Sequence, residues 1–159
     1  MNNALKLIVS LLLTVGVGSL GAIFTVNEIP TWYQALLKPS FNPPNWLFGP
    51  VWTLLYTFMG IAFFLVWKKA PSTDRNWAIG VFMIQFILNF CWSILFFKYH
   101  LLGWALIEIL MMWVFILLTI LFFWQHSKIA SILLLPYLFW VSFATILNAA
   151  INKINVKTA

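Results

Sequence analysis

Long apolar runs alternate with short polar connectors along nearly the whole chain. The five runs comprise residues 5–26, 47–67, 77–97, 101–124 and 129–151. As helices rising about 1.5 Å per residue, they would each cross the roughly 30 Å hydrocarbon core of a bilayer. The pattern therefore predicts an all-α integral membrane protein: a bundle of five transmembrane helices that forms one domain over residues 1–159.

Composition supports a membrane protein over a soluble domain. Apolar residues make up 64% of the chain and charged residues 8%, far from the values of soluble proteins. Apart from Lys6 at the edge of the first run, Glu108 is the only charged residue within the runs. An intramembrane carboxylate is often functional. Because Glu108 lies near the predicted interface, we expect a structural role, with proton coupling or a helix contact as alternatives.

The net charge of +6 comes from basic residues in the connectors and tails. This distribution is typical of anchoring to lipid headgroups, and basic residues scattered around an apolar body argue against nucleic-acid binding. One predicted side of the membrane holds five of these residues and the other holds four, which does not decide the orientation. The two groups are Lys6, Lys68, Lys69, Arg75 and Lys128, and Lys38, Lys98, Lys153 and Lys157.

The first connector, residues 27–46, is rich in proline and aromatic residues. Proline fixes the backbone angle φ, whereas flexible linkers are rich in glycine and serine. The composition predicts a stiff cap that packs against helix ends; an ordinary interfacial anchor with belt aromatics is the alternative. The predicted cap residues are Trp32, Lys38, Pro39, Phe41, Pro43, Pro44 and Trp46.

Three of the predicted helices carry polar and aromatic residues at helical spacing on one face. These stripes are Trp52 and Tyr56 on the second helix, Gln85, Asn89 and Trp92 on the third, and Tyr137, Trp140, Ala144 and Asn148 on the fifth. Buried amides in hydrocarbon need partners, so we expect the stripes to face the interior. Converging aromatic walls with a few amide and indole donors are typical of a small-molecule site. We favour a pocket for a flat hydrophobic ligand; helix packing alone is the alternative.

Conventional catalytic and metal-binding groups are missing from the sequence. His100 and His126 lie in connectors without a metal-spaced partner, and we expect neither Glu28 nor Asp74 to pair with a histidine. The sequence therefore predicts no metal site and requires no cofactor.

Several motifs identify the chain as similar to the TspO/MBR family, which comprises tryptophan-rich sensory proteins and the translocator protein, or peripheral-type benzodiazepine receptor. The motifs are Trp32-Tyr33-x-x-Leu36-x-Lys38-Pro39-x-Phe41-x-Pro43-Pro44-x-Trp46, Pro50-Val51-Trp52-Thr53-x-x-Tyr56-x-x-Met59-Gly60, Gln85-x-x-Leu88-Asn89-x-x-Trp92-Ser93 and Leu135-Pro136-Tyr137-x-x-Trp140-x-x-Phe143-Ala144-x-x-Leu147-Asn148.

The resemblance implies five helices around a capped pocket that binds porphyrins, notably protoporphyrin IX, for sensing, transport or tetrapyrrole regulation. It also implies a homodimer, and we expect the bacterial cytoplasmic membrane as its location. As an alternative function, Trp52 and Trp140 correspond to tryptophans implicated in light- and oxygen-dependent porphyrin breakdown. Together, the stripes and the motifs predict a ligand site of Tyr33, Trp52, Tyr56, Gln85, Asn89, Trp92, Tyr137, Trp140, Ala144 and Asn148.

One departure from the family concerns sterols. The resemblance assigns cholesterol binding in animal members to a tyrosine followed closely by a basic residue on the fifth helix. Here no basic residue follows Tyr137 until Lys153, so sterol binding is doubtful.

Overall fold

Five long helices form the protein, as the apolar runs predict. The computed structural model describes residues 2–156, within which there is no β-strand; Lys157 lies outside this range. Each long helix, with its short flanking helical turns, has the length and hydropathy needed to cross a membrane, so the chain is an integral membrane protein. The helices are α1 Asn3–Val26, α2 Phe48–Trp67, α3 Thr73–Ser93, α4 Leu102–His126 and α5 Lys128–Val156.

Short helical segments extend the ends of two spans and fold part of the first connector. A 3₁₀ turn, Asn45–Leu47, leads into α2. A π-helical turn, Ile94–Lys98, continues α3 toward α4. A second π-helical turn, Ile29–Tyr33, follows α1 and begins the capping segment, residues 27–46.

The ends of α3 and α5 differ from those of their apolar runs. α3 begins four residues before its apolar run because the Ser72 side chain accepts a hydrogen bond from the backbone N–H of Arg75 (3.1 Å) and caps the helix. α5 continues through Pro136 to Val156. The bounds of an apolar run show which residues can lie in lipid, whereas the position of the capping residue determines where the helix begins.

The helices pack in a closed circuit that fixes which faces are internal. α1 lies against α2, α2 against α5, α5 against α4 and α4 against α3, and α3 returns to α1. The faces of α2, α3 and α5 that carry the polar and aromatic stripes thus turn toward one another.

Small residues bring α1 and α2 into close contact. A Cβ atom at Gly60 would lie 2.6 Å from Thr14 Oγ1 and 3.2 Å from Leu11 Cα. Gly18 is similarly covered by the ring of Tyr56. Lipid tails are as apolar as the helix surfaces, so there is little hydrophobic driving force between helices in a membrane. Close backbone packing of this kind is therefore a main source of helix association.

Gly60→Ala should therefore destabilise the bundle, whereas Gly80→Ala should not. The new methyl group at Gly60 forces the α1–α2 contact apart, and overpacking of this kind costs typically about 1–3 kcal/mol. Gly80 lies in α3, and no neighbouring group lies within 4 Å of the place that a Cβ atom would take there. Alanine at this position should add about 0.5–1 kcal/mol of helix stability. Thermal unfolding in detergent measures both, and equal midpoints for the two variants would contradict the packing account.

Candidate ligand-binding site

A cavity of about 240 Å³ lies among α1, α2, α3, α5 and the capping segment. α1 contributes small side chains to its wall, and the other elements contribute large aromatic ones. Among the residues that the structure describes, no charged one lines it. Its wall includes Gly18, Ser19, Ala22, Tyr33, Phe48, Trp52, Thr53, Tyr56, Trp92, Ser93, Phe96, Phe97, Trp140, Ala144 and Asn148.

Seven of the ten residues in the predicted ligand site line this cavity. They come from the capping segment, α2, α3 and α5: Tyr33, Trp52, Tyr56, Trp92, Trp140, Ala144 and Asn148. Gln85, Asn89 and Tyr137 are instead buried in the core beside it. The alternation of helical faces predicts which residues point inward, but it does not separate a cavity wall from the layer behind it.

Asn89 joins two tyrosines behind the cavity wall. Its Oδ1 accepts a hydrogen bond from Tyr56 Oη at 2.5 Å, and its Nδ2 donates to Tyr137 Oη at 2.9 Å. Tyr137 Oη in turn donates to Met112 Sδ at 3.4 Å. The amide therefore fixes the ring of Tyr56, which lines the cavity, and links α2, α3 and α5 through buried polar groups.

Two indoles of the cavity wall have N–H groups without a protein acceptor in the described part of the chain. Trp52 stacks on Tyr56, with ring centroids 5.5 Å apart, and Trp140 meets Phe48 edge to face at 6.1 Å. Within residues 2–156, neither Trp52 Nε1 nor Trp140 Nε1 donates a hydrogen bond to protein, whereas Trp92 Nε1 donates a long one, 3.4 Å, to Asn148 Oδ1. A ligand with acceptor groups at its edge would match these two N–H groups.

Tyr33 closes the cavity from the capping segment. It is 2% exposed, and its Oη donates to Asn42 Oδ1 at 2.6 Å. Burial raises the pKa of Tyr33 to about 12 because the phenolate would lose hydration. The group is therefore a neutral phenol at physiological pH, and it keeps its bond to Asn42.

Lys38 stabilises the backbone of the capping segment. Its Nζ donates to the carbonyl oxygens of Tyr33 (2.7 Å), Gln34 (3.0 Å) and Leu36 (2.9 Å). Burial lowers the pKa of Lys38, since the charged form loses hydration. Lysine at the end of a helical segment satisfies carbonyls that have no helical partner, so this ammonium is occupied by the chain itself.

The capping segment docks on the ends of α3 and α5. Trp32 meets Phe96 edge to face, with centroids 5.6 Å apart, and Phe41 meets Phe143 at 6.4 Å. Asn155 exchanges two hydrogen bonds with the Leu37 backbone. The prolines occupy the bends: Pro39 O accepts from Asn42 N, Pro43 O accepts from Asn42 Nδ2, and Pro44 precedes the 3₁₀ turn.

Trp46 differs from the other predicted cap residues because it is 72% exposed. It lies where the connector enters α2, a position typical of a tryptophan in the interfacial belt. At this residue the alternative interpretation, an interfacial anchor, describes the structure better.

The expectation that Glu28 would not pair with a histidine is wrong. His100 Nε2 lies 3.1 Å from Glu28 Oε2. The two residues are 72 positions apart in the chain, and only the packing of the α1 end beside the α3–α4 turn brings them together. Sequence spacing carries no signal for such a pair.

Comparison with known proteins decides the family. The model of the TspO/MBR family matches residues 9–154. The chain belongs to the TspO/MBR family. It is 44% identical to the tryptophan-rich protein TspO of Archaeoglobus fulgidus, over 96% of this chain and 99% of that one. It is 37% identical to the human translocator protein, over 85% and 81% of the two chains, and 33% identical to the tryptophan-rich sensory protein of Cereibacter sphaeroides, over 85% and 82%.

Two buried polar side chains of this family member have no hydrogen-bond partner within the described residues. Gln85 is 1% exposed and Glu108 is 4% exposed, and neither the amide nor the carboxyl group contacts a protein donor or acceptor. Gln85 is one helical turn from Asn89 but does not join its network. The two amides predicted on α3 therefore differ: one organises the cavity wall, and the other does not.

Asn89→Leu should destabilise the protein more than Gln85→Leu. Loss of Asn89 leaves the hydroxyls of Tyr56 and Tyr137 without their amide partner, a penalty of about 1–3 kcal/mol for buried groups. Gln85 gives up no protein hydrogen bond, so leucine should be neutral or stabilising. Thermal unfolding of the two variants tests this, and a larger loss for Gln85→Leu would overturn the assignment.

Proposed function

We propose that this protein binds porphyrins such as protoporphyrin IX in the cavity, as a membrane receptor or transporter that senses, moves or regulates tetrapyrroles. The observation that carries the proposal is a cavity with aromatic walls from three helices and a cap. Stacking on indole and phenol rings suits a flat conjugated ligand. The names of two relatives, translocator protein and tryptophan-rich sensory protein, are consistent with transport and sensing.

The polar groups of the cavity favour a ligand with acceptors rather than a cation. Trp52 and Trp140 offer free indole N–H groups, and no acidic side chain of the described residues lines the wall. We expect the propionates of a porphyrin to lie toward the cap side of the bundle, where Lys98 directly follows the cavity-lining residue Phe97. No bound metal or further cofactor is needed for this mode of binding.

The size of the cavity bears on how a porphyrin is held. Its volume of about 240 Å³ is slightly below the range of about 300–1,000 Å³ for ligand pockets. Ser19, Ala22 and Thr53 line the cavity and are also exposed on the outside of α1 and α2. We therefore expect the ring to fill the cavity and extend between these two helices toward lipid.

We also propose a homodimer located in the bacterial cytoplasmic membrane. The five spans and the resemblance to family members that dimerise support this. Sterol recognition is not part of the proposal. The tyrosine that it would use, Tyr137, is buried, and its hydroxyl is already hydrogen-bonded to Asn89 and Met112.

Removing either cavity indole should weaken porphyrin binding. Each of Trp52→Leu and Trp140→Leu loses ring stacking and one N–H donor, which together should raise Kd by about 10-fold to 100-fold. Trp104→Leu is the matched control, because Trp104 is 65% exposed and does not line the cavity. Titration of purified protein with protoporphyrin IX, followed by porphyrin absorbance, measures the three values. Unsaturable binding, or equal Kd values for all three variants, would refute the proposal.

The second candidate function is photo-oxidation of the porphyrin, with molecular oxygen as the oxidant. It is supported by Trp52 and Trp140, two oxidisable indoles that both line the proposed porphyrin site. Illumination of the complex in air should bleach the porphyrin faster with the parent protein than with Trp52→Phe/Trp140→Phe, while both bleach slowly without oxygen. Identical bleaching rates in air would remove this candidate and leave simple binding intact.

A further inference from the structure

Three residues from separate segments form a small cluster on the side of the bundle that carries the capping segment. Glu28 follows α1, Trp32 lies in the first turn of the capping segment, and His100 lies in the turn between Ile94–Lys98 and α4. These three residues are called the clasp below, because they fasten the capping segment to the α3–α4 turn.

The clasp combines a ring stack with a polar contact to one imidazole. The rings of Trp32 and His100 are nearly parallel, at 13°, with centroids 4.0 Å apart. His100 Nε2 lies 3.1 Å from Glu28 Oε2. One face of the imidazole thus meets the indole while its edge meets the carboxylate.

The backbone of the turn holds His100 in place. Its φ is 58°, in the left-handed region that is uncommon for residues other than glycine, although histidine, asparagine and aspartate adopt it more readily. The turn is fastened on both sides, since Tyr99 N donates to Ile94 O and Leu101 N donates to Leu95 O. The imidazole therefore points at the capping segment from a fixed support.

The clasp is connected directly to the cavity wall. Trp32 packs edge to face on Phe96 and Phe97, and both of these rings line the cavity. Tyr33, the next residue, packs on the same two rings and closes the cavity. Movement of Trp32 away from His100 would displace Tyr33.

Among the described residues, Glu28 is the one acidic group in contact with His100. The other two acids of the chain, Asp74 and Glu108, lie in α3 and α4. On the turn itself, the Lys98 ammonium lies over the rings of Phe24 and Tyr99, at 5.3 Å and 5.5 Å. In the capping segment, the Lys38 ammonium donates to backbone carbonyls. In the last turn of α5, the charged residue is Lys153, and it is exposed.

We propose that His100 is a positioning residue for the ligand cavity, and that its protonation strengthens the clasp and closes the capping segment over the site. Histidine changes charge between about pH 5 and 8. The imidazolium attracts the Glu28 carboxylate and also the face of the Trp32 indole. The neutral ring keeps the stack but loses both charge-based contacts, so closure is favoured as pH falls and weakened as pH rises.

Cap mobility without any ligand tests the proposal directly. A nitroxide on Ser40→Cys, in a Cys91→Ala background, reports on the exposed part of the capping segment. Both contacts are half-exposed and therefore modest, so the ratio of mobile to immobile label should rise about threefold to tenfold between about pH 5 and pH 8.

Three variants separate the clasp from other pH effects. His100→Asn tolerates the same backbone angle but cannot gain a proton, so it should abolish the pH dependence of label mobility. Glu28→Gln removes the carboxylate but leaves the Trp32–His100 stack, so it should reduce the pH dependence without abolishing it. His126→Gln changes the other histidine, at the far end of α4, and should leave it intact. A pH-independent label in the parent, or an unchanged pH dependence in His100→Asn, would overturn the proposal.

The effect on ligand retention rests on the proposed porphyrin binding, and it has its own measurement. Protoporphyrin IX should dissociate more slowly at low pH from the parent than from His100→Asn. If porphyrin does not bind but label mobility still follows pH through His100, the clasp stands and the proposed ligand fails. If porphyrin binds but label mobility ignores pH, the clasp fails alone.

Discussion

Satisfaction of polar groups in a lipid environment is the constraint on which this structure depends. A helix satisfies its own backbone, but burying a tyrosine hydroxyl or an amide in hydrocarbon is costly unless a group on another helix bonds to it. Gln85 lacks such a protein partner among the described residues. Asn89 meets this requirement for Tyr56 and Tyr137 at once. A single amide thus ties three helices together and fixes one aromatic wall of the cavity.

The cavity arises from an imbalance of side-chain size around this polar centre. α1 presents glycine, alanine and serine, whereas α2, α3 and α5 present tryptophan, tyrosine and phenylalanine. At Gly18 and Gly60 the small residues of α1 and α2 allow contact of the helices. Nearer the cap, the small side chains of Ser19 and Ala22 line the cavity. Small residues therefore allow close helix packing at some positions and leave cavity volume at others.

The five helices and their inward faces could be predicted from the sequence because both follow from periodicity. An apolar run of bilayer length specifies a span, and a stripe at spacing three and four specifies a face. The division between Trp52, on the cavity wall, and Asn89, behind it, could not be predicted in this way, since both lie on inward faces and differ only in depth. The partners of Glu28 and Lys38 could not be predicted from the sequence either. Glu28 meets His100 through tertiary packing, and Lys38 turns back on its own segment through a local fold that no periodic signal describes.

The distribution of charge separates binding from control. The cavity wall is neutral, and the phenol of Tyr33 stays protonated because burial raises its pKa to about 12; changes of pH near neutrality therefore leave the stacking surface unaltered. Titratable groups are found instead at the aqueous end, where Glu28 and His100 meet beside Trp32. A proton can act there at little desolvation cost, because both groups remain partly hydrated. The clasp is therefore a part of this fold where a change of charge costs less desolvation than it would on the buried faces of the helices.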